Sequence, residues 1–405
     1  MIDMKMSRIT FLFLFMGLFL MNCKDDTGKN PNSQSPITFF NETGTEKVFN
    51  VINLNDGGFL YVGTANNRAF AMKVDAHGDR AWYKTIGGIQ GAQFKAAVET
   101  SDGKLICVGL TLSDPGSLDR EAGLVVKFSA NGEIEWNKVF SGPYEQLLYA
   151  VMISPDGYII TTGGVVPSDV DTWLLKLTMQ GEEVWSTDYT YLSDWHDWGA
   201  SLVMSPDGDY VIAGLTSPDA TSLNNRKFDA YVIAINPDDA ELTWGWAYRQ
   251  FPAVQGSGER GDPQVIGLDD GYVWAKGQYD ADTVFYIQLL KIDLAGNELF
   301  NNSYYGLGTA SFQNIQQTDD GGFLINGASK TLTESSATGQ TMLLKTDASG
   351  NEEWTSYSGG KPNFEESYQS NTNGTTWKHA GSSHNSKGVS SLTYFKTNDQ
   401  GKINE

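Results

Sequence analysis

One phrase recurs seven times along this chain of 405 residues, and its last copy is incomplete. Each copy contains an Asp-Gly or Asn-Gly turn, an apolar strand, a longer connection, a second apolar strand, and a further turn that leads into a final strand. The clearest copy runs from Asp56-Gly57-Gly58-Phe59 through Lys73 and Gly78 to Trp82. A repeat that reads as four short strands predicts a β-propeller, a ring of four-stranded blades.

The first turn of each copy is a tight hairpin signal. Glycine accepts positive φ at no steric cost, and Asp or Asn tolerates it. The strands that follow are apolar with few polar breaks, which is typical of strands buried between neighbouring blades. The turns stand at Asp56-Gly57, Asp102-Gly103, Asp156-Gly157, Asp207-Gly208, Asp270-Gly271, Asp320-Gly321 and Asn373-Gly374.

The second turn is flanked by a lysine and an aromatic residue. The lysine stands five residues before a turn glycine, as Lys73 stands before Gly78, and the aromatic residue follows that glycine by four. The fourth copy keeps its aromatic residue as Trp244 but lacks the turn glycine. One tryptophan at a constant place in each blade predicts packing between blades rather than a ligand platform. These aromatic residues are Trp82, Trp136, Trp185, Trp244, Phe300 and Trp354.

The incomplete seventh copy has a counterpart at the other end of the fold. Only four residues follow Gly401, so this copy lacks its last strand, whereas the strand-like Ile37-Thr38-Phe39-Phe40 has no blade of its own. Such an arrangement closes the ring and removes the open sheet edges. We therefore predict an all-β, seven-bladed propeller over residues 37–405, with four strands per blade and the N-terminal strand completing the last blade.

Residues 1–22 are predicted to be a signal peptide. Lys5 and Arg8 precede an apolar run at residues 9–21, which is too short to span a bilayer. The following Leu20-Met21-Asn22-Cys23 resembles the lipobox of bacterial lipoproteins. The resemblance implies cleavage before Cys23 and its modification with fatty acids such as palmitate. The alternative is an ordinary signal peptide followed by a chance cysteine.

The segment after the cysteine is predicted to be a tether, residues 23–36. Lys24-Asp25-Asp26 resembles the lysine-plus-acidic export tag of lipoproteins of the Bacteroidetes group, which implies an outer-membrane anchor exposed at the cell surface. A solvated tether would have the same composition. Residues 27–36 are rich in Asn, Ser, Gly and Pro and have no apolar period, as in a flexible spacer.

Charge and chemistry exclude several classes of function. With 28 basic and 49 acidic residues the chain has a formal charge of −21, which repels phosphate backbones, so we expect no nucleic-acid partner. The histidines show no zinc spacing and no calcium loop is present, so we expect no metal and no cofactor. Cys107 lies in an apolar strand and is predicted to be a small buried hydrophobe. The many acidic residues leave a glycosidase-type carboxylate pair open.

The candidate binding site lies opposite the tight turns. Both tight turns of a copy emerge on one face, so the variable connections, such as residues 111–122, project from the other face, called the loop face below. Binding residues concentrate on such loops. Residues 189–198 are the richest in aromatic and polar side chains, which could stack on sugar rings or hold a peptide. The alternative is a loop that packs its own aromatics. The candidate residues there are Tyr191, Asp194, Trp195, His196 and Trp198.

A second polar cluster contains Arg249 and Arg260, with a solvated, salt-bridged loop as the alternative interpretation. These two clusters could bind a protein or a glycan partner. Carboxylates near them could act in catalysis.

The repeat as a whole resembles those of uncharacterised bacterial lipoprotein and secreted propellers, in its Asp-Gly-Gly strand and its Lys-x-Asp-x-x-Gly-x-x-x-Trp phrase. It is more distantly similar to quinoprotein-like repeats, but it lacks their calcium site and adjacent cysteines. The resemblance to outer-membrane assembly lipoproteins implies a non-enzymatic scaffold, although a fold does not define a function. We therefore expect a lipid-anchored propeller that binds a protein or glycan partner. The alternative is a glycan-active hydrolase or lyase with carboxylates on the loop face.

Overall fold

The computed structural model describes most of the chain from residue 37 onwards. The described residues are 37–40, 45–86, 91–114, 117–166, 170–190, 196–217, 229–248, 263–279, 284–305, 309–330, 339–358, 364–372, 376–384 and 390–402. Within these ranges the regular structure consists of 28 β-strands. No helix in them has the length and apolarity needed to cross a membrane.

The strands of the described residues form seven four-stranded antiparallel sheets, numbered here in chain order. After β1 (Ile37–Phe40), sheet 1 has β2 (Lys47–Asn53), β3 (Phe59–Ala65), β4 (Arg68–Val74) and β5 (Arg80–Thr85). Sheet 2 has β6 (Gln93–Glu99), β7 (Leu105–Asp114), β8 (Ser117–Phe128) and β9 (Ile134–Phe140). Sheet 3 has β10 (Glu145–Ile153), β11 (Ile159–Val166), β12 (Asp171–Leu177) and β13 (Glu183–Tyr189).

The remaining four sheets follow the same order. Sheet 4 has β14 (His196–Met204), β15 (Tyr210–Ser217), β16 (Asp229–Ile235) and β17 (Leu242–Tyr248). Sheet 5 has β18 (Gln264–Leu268), β19 (Gly271–Tyr279), β20 (Phe285–Asp293) and β21 (Glu298–Tyr304). Sheet 6 has β22 (Thr309–Gln317), β23 (Phe323–Lys330), β24 (Gly339–Thr346) and β25 (Glu352–Ser358). Sheet 7 has β26 (Phe364–Thr372), β27 (Thr376–His384), β28 (Ser390–Asn398) and β1.

The first strands of the sheets surround a common axis. Each of β2, β6, β10, β14, β18, β22 and β26 contacts the first strand of the next sheet, and β26 contacts β2. Apolar side chains of neighbouring sheets fill the space between them, as Leu60 and Val126 do between sheets 1 and 2. The prediction of an all-β propeller with four-stranded blades is confirmed.

Strand β1 supplies the outer strand of sheet 7. It pairs with β28 in antiparallel register from Ile37, opposite Phe395, to Phe40, opposite Leu392. Phe40 is buried in a core that contains Leu392 of sheet 7 and Val48 of sheet 1.

The tight turns form where the glycines predict them. At the first turn of sheet 1 the amide of Gly57 donates to the carbonyl of Leu54, and Gly57 has a φ of +79°. The carboxylate of Asp56 accepts from the amide of Gly58, so the Asp side chain holds the hairpin closed. The same positive φ recurs at Gly103, Gly157 and Gly321.

The repeated tryptophans pack between sheets, as predicted. The indole of Trp82 in sheet 1 donates to the carbonyl of Ala130 in sheet 2 at 3.1 Å. A Cβ added at Gly132 would lie 2.7 Å from that indole, so only glycine fits against the ring. In sheet 7 the fourth strand, β1, begins opposite Phe395. At the junction of sheets 7 and 1, the ring of Tyr394 lies against Gly78 in the place of the indole.

One predicted connection is wrong. Residues 111–122 continue the hairpin of β7 and β8, with Thr111 opposite Ala122 and Leu112 opposite Glu121. The last pair of this ladder is Asp114 with Ser117. This extension carries Glu121 on a rigid strand instead of a loop.

Candidate functional site

Most of the predicted site residues are not placed by the structure. Cys23, Tyr191, Asp194, Trp195, Arg249 and Arg260 lie outside the described residues. His196 is the first residue of β14, and its side chain is likewise not described. Trp198 is the third residue of that strand, lies opposite Leu215 and is partly buried. The aromatic cluster at residues 189–198 and the arginine cluster therefore stay predictions.

The start of β14 is held by buried polar groups of sheets 3 and 4. The amide of Asp197 donates to the carbonyl of Val170, and the side chain of Asp197 is fully buried. The hydroxyls of Thr172 and Tyr231 are hydrogen-bonded to each other. Burial raises the pKa of Tyr231, and the Asp197 carboxylate raises it further against the lowering effect of Thr172. The Asp197 bond fixes the start of the strand that carries Trp198, and the Thr172–Tyr231 bond joins sheet 3 to sheet 4.

A repeated β-bulge marks the strands around the axis. Six of the seven first strands have one, and each bulge leaves one residue out of the ladder. A bulge bends its strand and re-aims a side chain, and bulges are common beside functional sites. The bulge residues are Phe49, Lys95, Tyr149, Ala200, Gln313 and Tyr368.

The bulge residues of sheets 1–3 contact one another. The ammonium of Lys95 lies 3.7 Å from the ring centre of Phe49 and 6.0 Å from that of Tyr149. Lys47 approaches the same Phe49 ring at 5.1 Å. Aromatic faces attract cations at these distances, more strongly where water is excluded. Lys95 therefore stands between two rings that are contributed by two different neighbouring sheets.

Two carboxylates accompany this lysine. Glu121 lies on β8 and Glu145 begins β10, and both are partly buried. Burial raises the pKa of Glu121, Glu145 raises it further, and Lys95 lowers it in part. Glu145 is the first residue of its strand and Glu121 is the fifth of twelve, so both lie in the loop-face halves of their strands. We call Phe49, Lys95, Glu121, Glu145 and Tyr149 the axial cluster.

Sheet 5 departs from the bulge pattern. Strand β18 pairs with β19 without a bulge, and its first residue, Gln264, reaches sideways into sheet 6. The side-chain nitrogen of Gln264 donates to the backbone carbonyl of Gln313 at 3.0 Å, and its side-chain oxygen accepts from the side-chain nitrogen of Asn314 at 3.1 Å. Gln264 thus bonds to the bulge of its neighbour.

The described histidines do not suggest a metal centre. No group of three or more potential ligands comes together within the described part of the chain. His379 is buried, stacks on Phe395 with ring centres 4.7 Å apart, and contacts the hydroxyl of Thr397. Burial lowers its pKa to about 3, so it is neutral at physiological pH. It belongs to the core of sheet 7.

The sequence analysis did not predict the axial cluster, although the sequence contains a signal for the position of the bulge residues. Five bulge residues stand seven positions before the Asp of the following Asp-Gly turn, as Phe49 stands before Asp56 and Lys95 before Asp102. Tyr149, Ala200 and Gln313 obey the same spacing. Aligning the copies on this turn would have revealed one variable residue per blade at the same depth.

Comparison with known proteins returned distant structural likenesses. No family model matches the sequence, and no curated protein matches it. A protein from Lactobacillus plantarum has a TM-score of 0.49 at 11% identity, over 82% of this chain and 95% of the other. Puromycin hydrolase has a TM-score of 0.44 at 13% identity, over 87% of this chain and 52% of its own length. An ulvan lyase, a polysaccharide lyase, has a TM-score of 0.45 at 9% identity, over 68% and 75%.

Proposed function

We propose that this chain is a binding module whose loop face, around the propeller axis, receives a protein or glycan partner. The axial cluster supports the proposal. It brings together a cation, two aromatic rings and one carboxylate on the first strands of sheets 1–3 with a second carboxylate, Glu121, on β8. Binding sites typically combine apolar faces with a few convergent polar groups in this way.

We also propose that the module is a lipoprotein of the bacterial outer membrane, anchored through Cys23 and exposed at the cell surface. Its support is the lipobox-like sequence and the acidic tag. Two or three acyl chains would anchor it stably, since each buried methylene contributes about 0.8 kcal/mol. Residues 23–36 then act as a tether that lets the loop face turn toward its partner.

The ring itself is proposed to consist of seven blades closed by the N-terminal strand. The β1–β28 ladder and the contact of β26 with β2 support this closure. Closure leaves no sheet edge exposed and holds the axial strands rigidly, which favours a preorganised site.

The observation that carries the binding proposal is the placement of Lys95 between the rings of Phe49 and Tyr149. The test is a thermal-shift and glycan-array screen of the full chain in detergent, beside a Phe49→Ala, Tyr149→Ala double variant. Tyr305→Ala serves as the control, because this exposed tyrosine follows the outer strand of sheet 5. Ligands that bind the control but not the double variant support the proposal. Equal binding by all three proteins would place the partner elsewhere.

A second function, glycan cleavage, is favoured by one observation. Glu121 and Glu145 are neighbouring carboxylates, and the pKa of Glu121 is raised by burial and by Glu145. A carboxyl group with a raised pKa can act as the proton donor of a carboxylate pair. Reducing-end release from bound glycans, lost in Glu121→Gln and kept in the exposed-site control Glu183→Gln, would support an enzyme. Glycan binding without cleavage would argue against an enzyme and support a binding module alone.

A further inference from the structure

We infer that the axis holds a site for a neutral sugar ring, seated between the axial cluster and Ala200. This inference rests on the proposed binding function and deepens it by naming the place and the class of ligand.

The ring of bulge residues is asymmetric. By register, Ala200 presents a methyl group where the three preceding sheets present the side chains of Phe49, Lys95 and Tyr149. The next sheet has no bulge, and its Gln264 is bonded sideways to sheet 6. Sheets 1–3 therefore carry large side chains at the bulge and sheet 4 carries the small one, while the bulge residues of sheets 6 and 7 are Gln313 and Tyr368.

The side chains that sheets 1–3 contribute have the chemistry of a sugar-binding site. The ring of Tyr149, whose centre lies 6.0 Å from the ammonium of Lys95, can pack on the apolar C–H face of a pyranose. An ammonium donates hydrogen bonds, and carboxylates accept them, so Lys95, Glu121 and Glu145 together match the mixed donor and acceptor character of sugar hydroxyls. The cation–π contact at 3.7 Å also holds the ammonium of Lys95 in one place.

The charges select a neutral ligand. Glu121 and Glu145 accompany Lys95, and the buried Glu46 directly precedes Lys47, so these charged groups together offer an anion no net attraction. The chain as a whole has a formal charge of −21, and the resulting field repels polyanions. A sugar without carboxylate or sulfate groups fits both facts.

The test compares neutral oligosaccharides of glucan, xylan, mannan and galactan with uronate-containing and sulfated ones, on the full chain in detergent. Ala200→Phe is expected to weaken binding of the neutral probes by at least about tenfold, the equivalent of about 1.4 kcal/mol, because it fills the seat. Ala200→Ser is the matched control and is expected to bind within about twofold of the unaltered chain. Tyr149→Ala removes the stacking face without adding bulk, and it is expected to weaken binding similarly.

The outcomes separate this inference from the function on which it rests. Neutral glycans that bind equally well to Ala200→Phe and Tyr149→Ala would overturn the axial site while glycan binding stands. A preference for uronate or sulfated probes would overturn the ligand class. If no glycan binds, the inferred sugar site is wrong. If a protein partner binds through the axial cluster instead, the proposed binding function still holds.

Discussion

Removing the carboxylate of Asp320 is expected to destabilise the propeller in a pH-dependent way. Asp320 occupies the first turn of sheet 6 and lies 2.7 Å from the ammonium of Lys345, whose side chain is only 5% exposed. The same ammonium also contacts Glu353 at 2.8 Å and the carbonyl of Thr346 at 2.8 Å. Equivalent ion pairs tie strand three to the first turn in other sheets, as Lys73 and Asp56 do at 2.7 Å.

The magnitude follows from these contacts. In Asp320→Ala the buried ammonium keeps Glu353 and the Thr346 carbonyl, and Asp320 is 57% exposed, so the lost ion pair contributes only about 1 kcal/mol. The turn also loses the hydrogen bonds from the amide of Gly322, at 3.0 Å, and from the hydroxyl of Thr318, at 2.5 Å, which together add about 1–2 kcal/mol. We expect a loss of about 2–3 kcal/mol in the free energy of unfolding at pH 7.

Sheet 4 supplies the matched control. Asp207 stands in the corresponding turn, and Ala234, opposite Trp244, occupies the place that Lys345 has opposite Trp354. In that turn the amide of Asp209 donates to the hydroxyl of Ser205. Asp207→Ala therefore alters a turn without removing the ion pair or the amide hydrogen bond, and it is expected to cost about 2 kcal/mol less. Urea denaturation followed by tryptophan fluorescence measures both variants. Equal losses would refute the contribution assigned to the ion pair.

The pH dependence gives a second check. Burial raises the pKa of Asp320, but hydrogen bonds from Lys345, Thr318 and Gly322 outweigh it and lower the pKa to about 2, from an ordinary value of 3.8. Because the folded state holds the proton less tightly, the stabilisation is complete above about pH 4 and is lost as pH falls through 2. The difference between the unaltered chain and Asp320→Ala should shrink over this window. A constant difference would contradict the reasoning.

Three further predictions concern packing, closure and the anchor. Gly132→Ala and Gly157→Ala both place alanine at positive φ, +79° and +85°, but only the former meets an indole, so it should lose about 1–3 kcal/mol more in thermal unfolding. Equal losses would argue against the inter-sheet contact. Phe40→Ala should cost about 3–5 kcal/mol in urea denaturation, because this side chain is 3% exposed between sheets 7 and 1; a loss below about 1 kcal/mol would show that β1 is dispensable. Cys23→Ala should release the protein from membrane fractions, whereas Cys107→Ala should stay membrane-bound; retention of both would exclude the anchor.

The fold could be predicted to a large extent, because its signals are local. A glycine with positive φ, such as Gly57 or Gly78, specifies a turn wherever the chain places it, and an apolar run specifies a buried strand. The packing role of Trp82 could also be predicted, since a residue kept once per blade serves a contact that every blade repeats. The extent of the β7–β8 hairpin could not, because a polar strand that continues a ladder looks like a loop.

The sequence by itself determined the repeat, the turns, the strands and the tryptophan contacts, because each depends on the conformational preference or burial of residues close together in the chain. Only the tertiary structure decided the candidate site. Lys95 meets Phe49 and Tyr149 because bulges of three successive sheets face one axis, across separations of about 50 residues. The raised pKa of Glu121 arises in the same way, since burial and the approach of Glu145 exist only after the sheets have packed.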